Sequence, residues 1–304
     1  MAGQLSDCRQ PVQCKKPKGL NYRHAYHAGN FADVLKHVLL VRLMRALQRK
    51  EKGFLFVDTH AGRGGYDLAA AAEGDTRARR PEWPDGIGRL WDRTDLPPEV
   101  ADYVAVIRQY DQYKGNQGGV PRFYPGSPRI ARLVARPQDR MELWEKHPSE
   151  CAFLRDEFLG ERRVSVHEAD GYGALRACLP PMERRALVLI DPPFESADEW
   201  SDVGAALGEG LARLPGGTFA VWYPLTERAR ADGFLQLLKS VAVPTLAADL
   251  IVDPDAPRMK GCGVIVANPP WKFDSEARAI VTYLGSVLYR GDAAQGTVRW
   301  VVAE

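Results

Sequence analysis

The 304-residue chain has no apolar run approaching the roughly 18 residues that cross a bilayer, and its first twenty residues lack the apolar core of a signal peptide. A soluble, cytoplasmic protein without membrane partners is expected. Cysteine is scarce: Cys8, Cys14, Cys151, Cys178 and Cys262 are odd in number, scattered and never in a Cys-x-x-Cys pair. That pattern excludes a disulfide framework and a zinc knuckle. A net charge of +2 is too small to announce nucleic-acid binding, for which clustering of charge matters more than its total. Internal repeats and long low-complexity tracts are also lacking. What is present, 45% hydrophobic and 26% charged residues, suits one large globular domain or one domain carrying an inserted piece.

Residues 1–19 hold Pro11, Pro17, Lys15, Lys16 and Lys18 with almost no apolar periodicity, and are expected to form a flexible leader. Organised sequence starts at Leu20. Phe31, Val34, Leu35, Val38 and Val41 recur at three- and four-residue spacing, predicting a helix capped by Asn30 and ended by Gly53. Phe54 to Val57 then reads as a strand running into Asp58-Thr59-His60-Ala61-Gly62-Arg63-Gly64-Gly65, a glycine turn. Further apolar runs recur at 141–144, 164–166, 186–190, 218–222, 246–252 and 264–267, with helix-length amphipathic stretches between most of them. Such alternation predicts an α/β fold with a mainly parallel, doubly wound sheet.

The interval from Asp58 to Glu145 is far longer than the ~30 residues of a strand-helix-strand unit. The excess is read as a mostly helical subdomain inserted at about 68–120. It holds Arg77, Arg79 and Arg80, Trp83 and Trp91, and a helix over 99–114 with Val100, Val104 and Ile107 on one face.

In such a sheet the ligand lies outside the carboxyl ends of the strands, so the residues that follow each run are the candidates. After the first strand come Asp58 and His60, with Gly62 and Gly64, where missing side chains let a ligand approach the backbone. A plain tight turn explains the glycines equally well. Glu145 follows the second strand, placed either to accept from ribose hydroxyls or to sit as a solvated glutamate. Asp170-Gly171 follows the third, either meeting an adenine amino group or capping a helix.

The fourth strand, Leu187 to Ile190, runs straight into Asp191-Pro192-Pro193-Phe194. Two prolines make a stiff turn whose carbonyls can be held towards the crevice. The lone pair of adenine's exocyclic amine is delocalised into the ring, so transfer of a methyl group to it calls for acceptors on both N–H hydrogens. Asp191 and the Pro192 carbonyl can supply them while Phe194 stacks on the base, an interaction of about 1–3 kcal/mol. A strand-terminating turn with Phe194 in the core is the alternative. Asn268-Pro269-Pro270-Trp271 has the same logic with an amide, but lies beyond two further strands, towards an edge, where a structural turn is expected.

Taken together these residues resemble the amino-methyltransferases with an [Asp/Asn/Ser]-Pro-Pro-[Tyr/Phe/Trp] motif, and more closely the RlmJ-type 23S ribosomal RNA adenine-N6 methyltransferases. The likeness covers Leu20 to Glu304. It is carried by Tyr22-Arg23-His24-Ala25-Tyr26-His27-Ala28-Gly29-Asn30, Ala32-Asp33-Val34-Leu35-Lys36-His37, Asp58-Thr59-His60-Ala61-Gly62, Tyr124-Pro125-Gly126-Ser127-Pro128 and Asp191-Pro192-Pro193-Phe194. The resemblance implies a Rossmann-like class I fold and S-adenosyl-L-methionine as cofactor, with S-adenosyl-L-homocysteine as product. It also implies contacts to that cofactor from His37, His60, Ser127, Glu145, Asp170 and Gly171, with Lys36 beside them. Asp191 would be the catalytic acceptor, Tyr22 would touch the 23S ribosomal RNA substrate, and Asn268 to Trp271 would be structural. Phe194 stands where tyrosine is common in the wider motif.

Four of the six histidines, His24, His27, His37 and His60, fall near the proposed site, so a metal centre is a rival reading. No tight His-x-x-x-His pair supports it, and no metal is expected. His147 and His167 are expected at the surface or at strand ends. Candidate phosphate contacts are Arg23, Arg63, the Arg77 to Arg80 group, Arg162, Arg163, Arg184, Arg185, Arg258 and Lys260. Two further functions compete with RNA methylation: a binding protein that has kept the fold but lost catalysis, and a DNA adenine-N6 methyltransferase. A monomer is expected.

Overall fold

The computed structural model describes residues 24–73, 80–226, 228–239, 242–257, 259–290 and 295–303. Among the described residues there are ten strands: β1 Leu55–Asp58, β2 Gly65–Asp67, β3 Phe123–Pro125, β4 Arg140–Glu145, β5 Val164–Glu168, β6 Ala186–Ile190, β7 Thr218–Leu225, β8 Thr245–Ile251, β9 Gly261–Ala267 and β10 Gln295–Val302. Eight of them form one sheet in the order β10-β8-β9-β7-β6-β1-β4-β5, while β2 and β3 make a separate antiparallel pair. From β5 through β4, β1 and β6 to β7 every neighbour is parallel. β9 runs antiparallel to both β7 and β8, and β10 antiparallel to β8.

The central strands are buried on both faces, and period-two alternation divides their side chains between two cores. Phe56, Leu143, Leu187, Leu189, Ala220 and Val264 pack with the helices Phe31–Leu47, Pro98–Tyr113, Ser127–Val134 and Phe273–Leu288. Val57, Val188, Ile190, Val221 and Ile265 face Ala174–Cys178, Glu199–Arg213 and Arg228–Leu238 on the other side. Each fully buried leucine, isoleucine or valine contributes about 1.5–3 kcal/mol. Because the chain turns from β1 towards β4 and β5, then returns to place β6 on the other flank of β1, the switch point of the sheet lies between β1 and β6.

Asn30 caps the helix Phe31–Leu47, its side chain accepting from the backbone N–H groups of Ala32 and Asp33 at 2.9 and 3.0 Å. That helix ends at Leu47 with Gln48 as cap, six residues before Gly53. Gly53 is instead pressed against the Gln138 backbone, where an added Cβ would lie 2.4 Å from the carbonyl oxygen. Between β2 and β3 lie the helical segments Leu68–Glu73, Trp83–Asp85, Gly88–Trp91 and Pro98–Tyr113. The longest of these packs on Phe31–Leu47 and buries Val100, Tyr103, Val104 and Ile107 in the same core as that helix. Among the described residues no helix is long and apolar enough to cross a membrane.

Candidate active site

Asp58 ends β1 and is fully buried. Its carboxylate accepts from the Ser127 hydroxyl at 2.7 Å and from the His60 backbone N–H at 3.2 Å. Burial raises its pKa to about 7 against the opposing pull of the Ser127 hydroxyl. Ser127 starts the helix Ser127–Val134, with Pro128 fixing its first turn. His60 hydrogen-bonds Thr59 Oγ1 through Nδ1 at 2.8 Å and meets Tyr172 edge-on at 5.1 Å between ring centroids. Burial lowers its pKa to about 4, so the imidazole is neutral at pH 7.

Glu145, at the carboxyl end of β4, accepts from the Gly62 backbone N–H at 2.8 Å and the His147 backbone N–H at 2.7 Å. It thereby ties the glycine turn to the neighbouring strand end, a role the sequence did not disclose. Gly62 adopts a φ of +60°, the left-handed conformation that disfavours a side chain. Asp170 caps a short helical turn through the Tyr172 N–H and also binds Lys146 Nζ at 2.8 Å. Gly171 lies so close to the Thr59 carbonyl oxygen that a Cβ would sit 1.7 Å from it. The ends of β5, β4 and β1 are therefore packed as one surface.

Asp191 follows β6, immediately across the switch point from Asp58. Its carboxylate binds Lys36 Nζ at 2.5 Å, and the same ammonium binds Asp33 Oδ1 at 2.8 Å. Lys36 is only 6% exposed at its side chain. Burial alone would lower its pKa, but the facing carboxylates of Asp191 and Asp33 more than offset this and hold it well above the ordinary lysine value. Asp33 also accepts from the Gly29 N–H at 3.0 Å. The resemblance implies Lys36 beside the cofactor but names neither of its partners, and Asp33 is not among the site residues it implies. Its signal was the three-residue spacing to Lys36, which puts the two on one helix face.

His37 is buried behind this pair, with Nδ1 at 2.7 Å from the Tyr124 hydroxyl and its ring stacked on Tyr124. The Tyr124 hydroxyl in turn lies 2.9 Å from that of Tyr103. Pro192 is buried, whereas Phe194 is half-buried at a φ of +50° and packs at a tilt on Trp200 and Trp222, at 4.6 and 5.9 Å. Phe194 thus belongs to an aromatic cluster just past the carboxyl end of β6. Tyr22, Arg23, Arg77, Arg79 and Arg258 lie outside the described residues.

The second Pro-Pro turn lies at the other end of the sheet. Because β9 is antiparallel to β7, Ala267 pairs with Phe219 near the start of β7, and Asn268 emerges among the amino ends of the parallel strands. Its position is set by strand direction and not by nearness to an edge, since β9 is an interior strand. The Asn268 side chain donates to the Pro215 and Gly217 carbonyls at 2.7 and 2.8 Å, so the amide holds a turn.

Of the basic candidates, Arg63 forms a two-pronged pair with Glu150 at 2.6 and 2.7 Å, and Arg185 donates to the Leu47 carbonyl at 2.6 Å. Arg80, Arg162 and Arg163 are exposed. His167 hydrogen-bonds Glu142 at 2.6 Å and stacks on Trp144. Among the described residues no group of three or more histidine, cysteine or acidic side chains is placed to hold a metal ion.

A sheet ordered in this way, with five parallel strands, an antiparallel strand wedged between β7 and β8, and acidic side chains at the carboxyl ends of β1, β4 and β6, is the Rossmann-like fold of the class I methyltransferases. The chain belongs to the family described as "Ribosomal RNA large subunit methyltransferase D, RlmJ", whose model matches residues 51–302. It is 40% identical over 288 residues to Ribosomal RNA large subunit methyltransferase J of Escherichia coli (strain K12), covering 94% of this chain and 100% of that protein. The protein of the same name from Haemophilus influenzae is 41% identical over 289 residues, again covering 94% and 100%. A crystal structure of a protein from Legionella pneumophila str. Philadelphia 1 superposes with a TM-score of 0.80 at 34% identity, covering 90% of this chain and 97% of that one.

Proposed function

We propose that this protein transfers a methyl group from S-adenosyl-L-methionine to the N6 amino group of an adenine in 23S ribosomal RNA. The observation that carries this reading is the position of Asp191. It stands at the switch point of the sheet, held by a buried lysine, beside the strand-end cluster of Asp58, Gly62, Glu145 and Gly171.

The residues present fit the cofactor. Gly62 and Gly171 let the loops after β1 and β5 pack closely at the strand ends, Glu145 offers carboxylate oxygens beside the glycine turn, and His60 is a neutral ring next to it. When bound, the cofactor supplies a methyl group activated by its sulfonium. Lys36 engages Asp191 through Oδ2, which leaves Oδ1 to accept one N–H of the incoming amine while the Pro192 carbonyl accepts the other. Two fixed acceptors return lone-pair density to the nitrogen and aim it, and this positioning supplies much of the rate. Phe194, half-buried on Trp200 and Trp222, stacks on the extruded base. His37, Ser127 and Asp170 contribute through the packing of this floor, and Tyr22 contacts the RNA. In this reading residues 20–304 form one catalytic domain, with the 68–120 segment as an added helical piece contacting RNA.

The test is to incubate the protein with labelled S-adenosylmethionine and 23S ribosomal RNA or adenine-containing DNA, then digest and identify the labelled nucleoside. Label in N6-methyladenosine from the RNA is expected. Label only in DNA would move the assignment to a DNA adenine enzyme, and label in any other nucleoside would end it.

A further inference from the structure

β7 is buried along its whole length except at Trp222. Ile190 of β6 pairs with Val221 of β7, so the next residues along the two parallel strands, Asp191 and Trp222, project from the same face of the sheet. That is the face from which Lys36 reaches Asp191, and Trp222 packs there against the core that contains Leu187 and Leu189. The buried edge of its indole, carrying the N–H, faces the Cys262 thiol of β9. Trp222 is half-buried, and its ring meets that of Phe194 at 5.9 Å and 58°. Trp200 also packs on Phe194, at 4.6 Å and 54°. The half-buried rings of Phe194 and Trp222 therefore meet as an aromatic corner just past the strand end that carries Asp191.

We propose that Trp222 is a substrate-binding residue that forms the second aromatic wall of the purine pocket, set at an angle to Phe194, and fixes the base in the plane that points its amine at Asp191. A single aromatic platform leaves a stacked base free to slide and rotate in its own plane. A second ring against one edge removes that freedom, and the gain falls on orientation, to which methyl transfer is most sensitive. The wall is apolar and planar, so it suits a purine base and offers no hydrogen bond to tell adenine from guanine. That discrimination is left to Asp191 and the Pro192 carbonyl, both of which need N–H donors. This inference rests on the adenine-N6 reading above.

Steady-state methylation of an RNA substrate is compared for wild type, Trp222→Phe and Trp222→Leu, with cofactor affinity measured by calorimetry. Leucine preserves apolar packing against Cys262 and removes the ring, whereas phenylalanine keeps a ring. The expected result is a loss of kcat/KM for RNA of about tenfold or more in Trp222→Leu, within about threefold of wild type in Trp222→Phe, and unchanged cofactor affinity in both. A Trp222→Leu variant within about twofold of wild type, or equal losses in the two variants, overturns the proposal. Should Trp222→Leu fail to fold, the difference in indole emission between wild type and Trp222→Phe isolates the Trp222 signal. Quenching of that signal when RNA binds the S-adenosylhomocysteine complex is expected, and no change overturns the proposal. A wild-type enzyme that makes no N6-methyladenosine would instead sink the functional reading, whatever the variants do.

Discussion

Replacing Asp58 by asparagine isolates the electrostatic cost of the carboxylate at the switch point. Asparagine preserves the acceptor for the His60 N–H, and the Ser127 hydroxyl can rotate to accept from the new amide, so both hydrogen bonds survive. What changes is titration. Asp58 has a folded pKa of about 7, raised from 3.8 by burial. A carboxyl group whose pKa is raised by folding binds protons more tightly when folded, so its contribution to stability is full below the unfolded value and disappears as pH rises through about 7. At pH 5 the gap to about 7, at about 1.4 kcal/mol per pH unit, gives the wild type roughly 3 kcal/mol that is gone by pH 8. Asparagine cannot titrate. In urea unfolding, the stability of Asp58→Asn relative to wild type should therefore improve by about 3 kcal/mol between pH 5 and pH 8. A stability difference independent of pH would refute the burial argument, whatever its absolute size.

Gly171→Ala should lower cofactor affinity and stability together, because a Cβ placed 1.7 Å from the Thr59 carbonyl oxygen forces apart the ends of β1 and β5. A loss of about 1–3 kcal/mol in unfolding free energy is expected, and calorimetry showing unaltered cofactor binding would contradict it. Asn268→Ala should lose about 1–3 kcal/mol of stability, since it strips two carbonyls of their donor. Turnover per folded molecule should stay at the wild-type level, and a specific collapse of activity would place the second Pro-Pro turn in the chemistry after all.

The main sheet was legible because its strands are buried on both faces and appear as apolar runs: the six runs after the first strand fall on β4 to β9, that over 246–252 passing the end of β8 by one residue. β10 was not read. Its sequence Gln295-Gly296-Thr297-Val298-Arg299-Trp300-Val301-Val302 lies at the sheet edge, where half-exposure mixes polar and apolar residues. β2 and β3, three residues each, pair across more than fifty residues and leave no local pattern. Strand direction was equally invisible. Nothing in Val264 to Ala267 says that β9 runs backwards, and that reversal is what carries Asn268 to the far end of the sheet. At the site, the strand-end rule picked out Asp58, Glu145, Asp170 and Asp191 in order along the chain. The Lys36 to Asp191 pair was beyond reach, because a lysine on a buried helix face reads as a side chain snorkelling to water until its partner 155 residues away is placed beside it.

The central claim turns on the Asp191 carboxylate. Single-turnover transfer from S-adenosylmethionine to 23S ribosomal RNA, measured for wild type and Asp191→Ala with cofactor affinity determined in parallel, tests it most directly. The account predicts that Asp191→Ala forms N6-methyladenosine at least about a hundredfold more slowly while retaining most of its cofactor affinity. Transfer at the wild-type rate by a folded, cofactor-binding Asp191→Ala protein would contradict it.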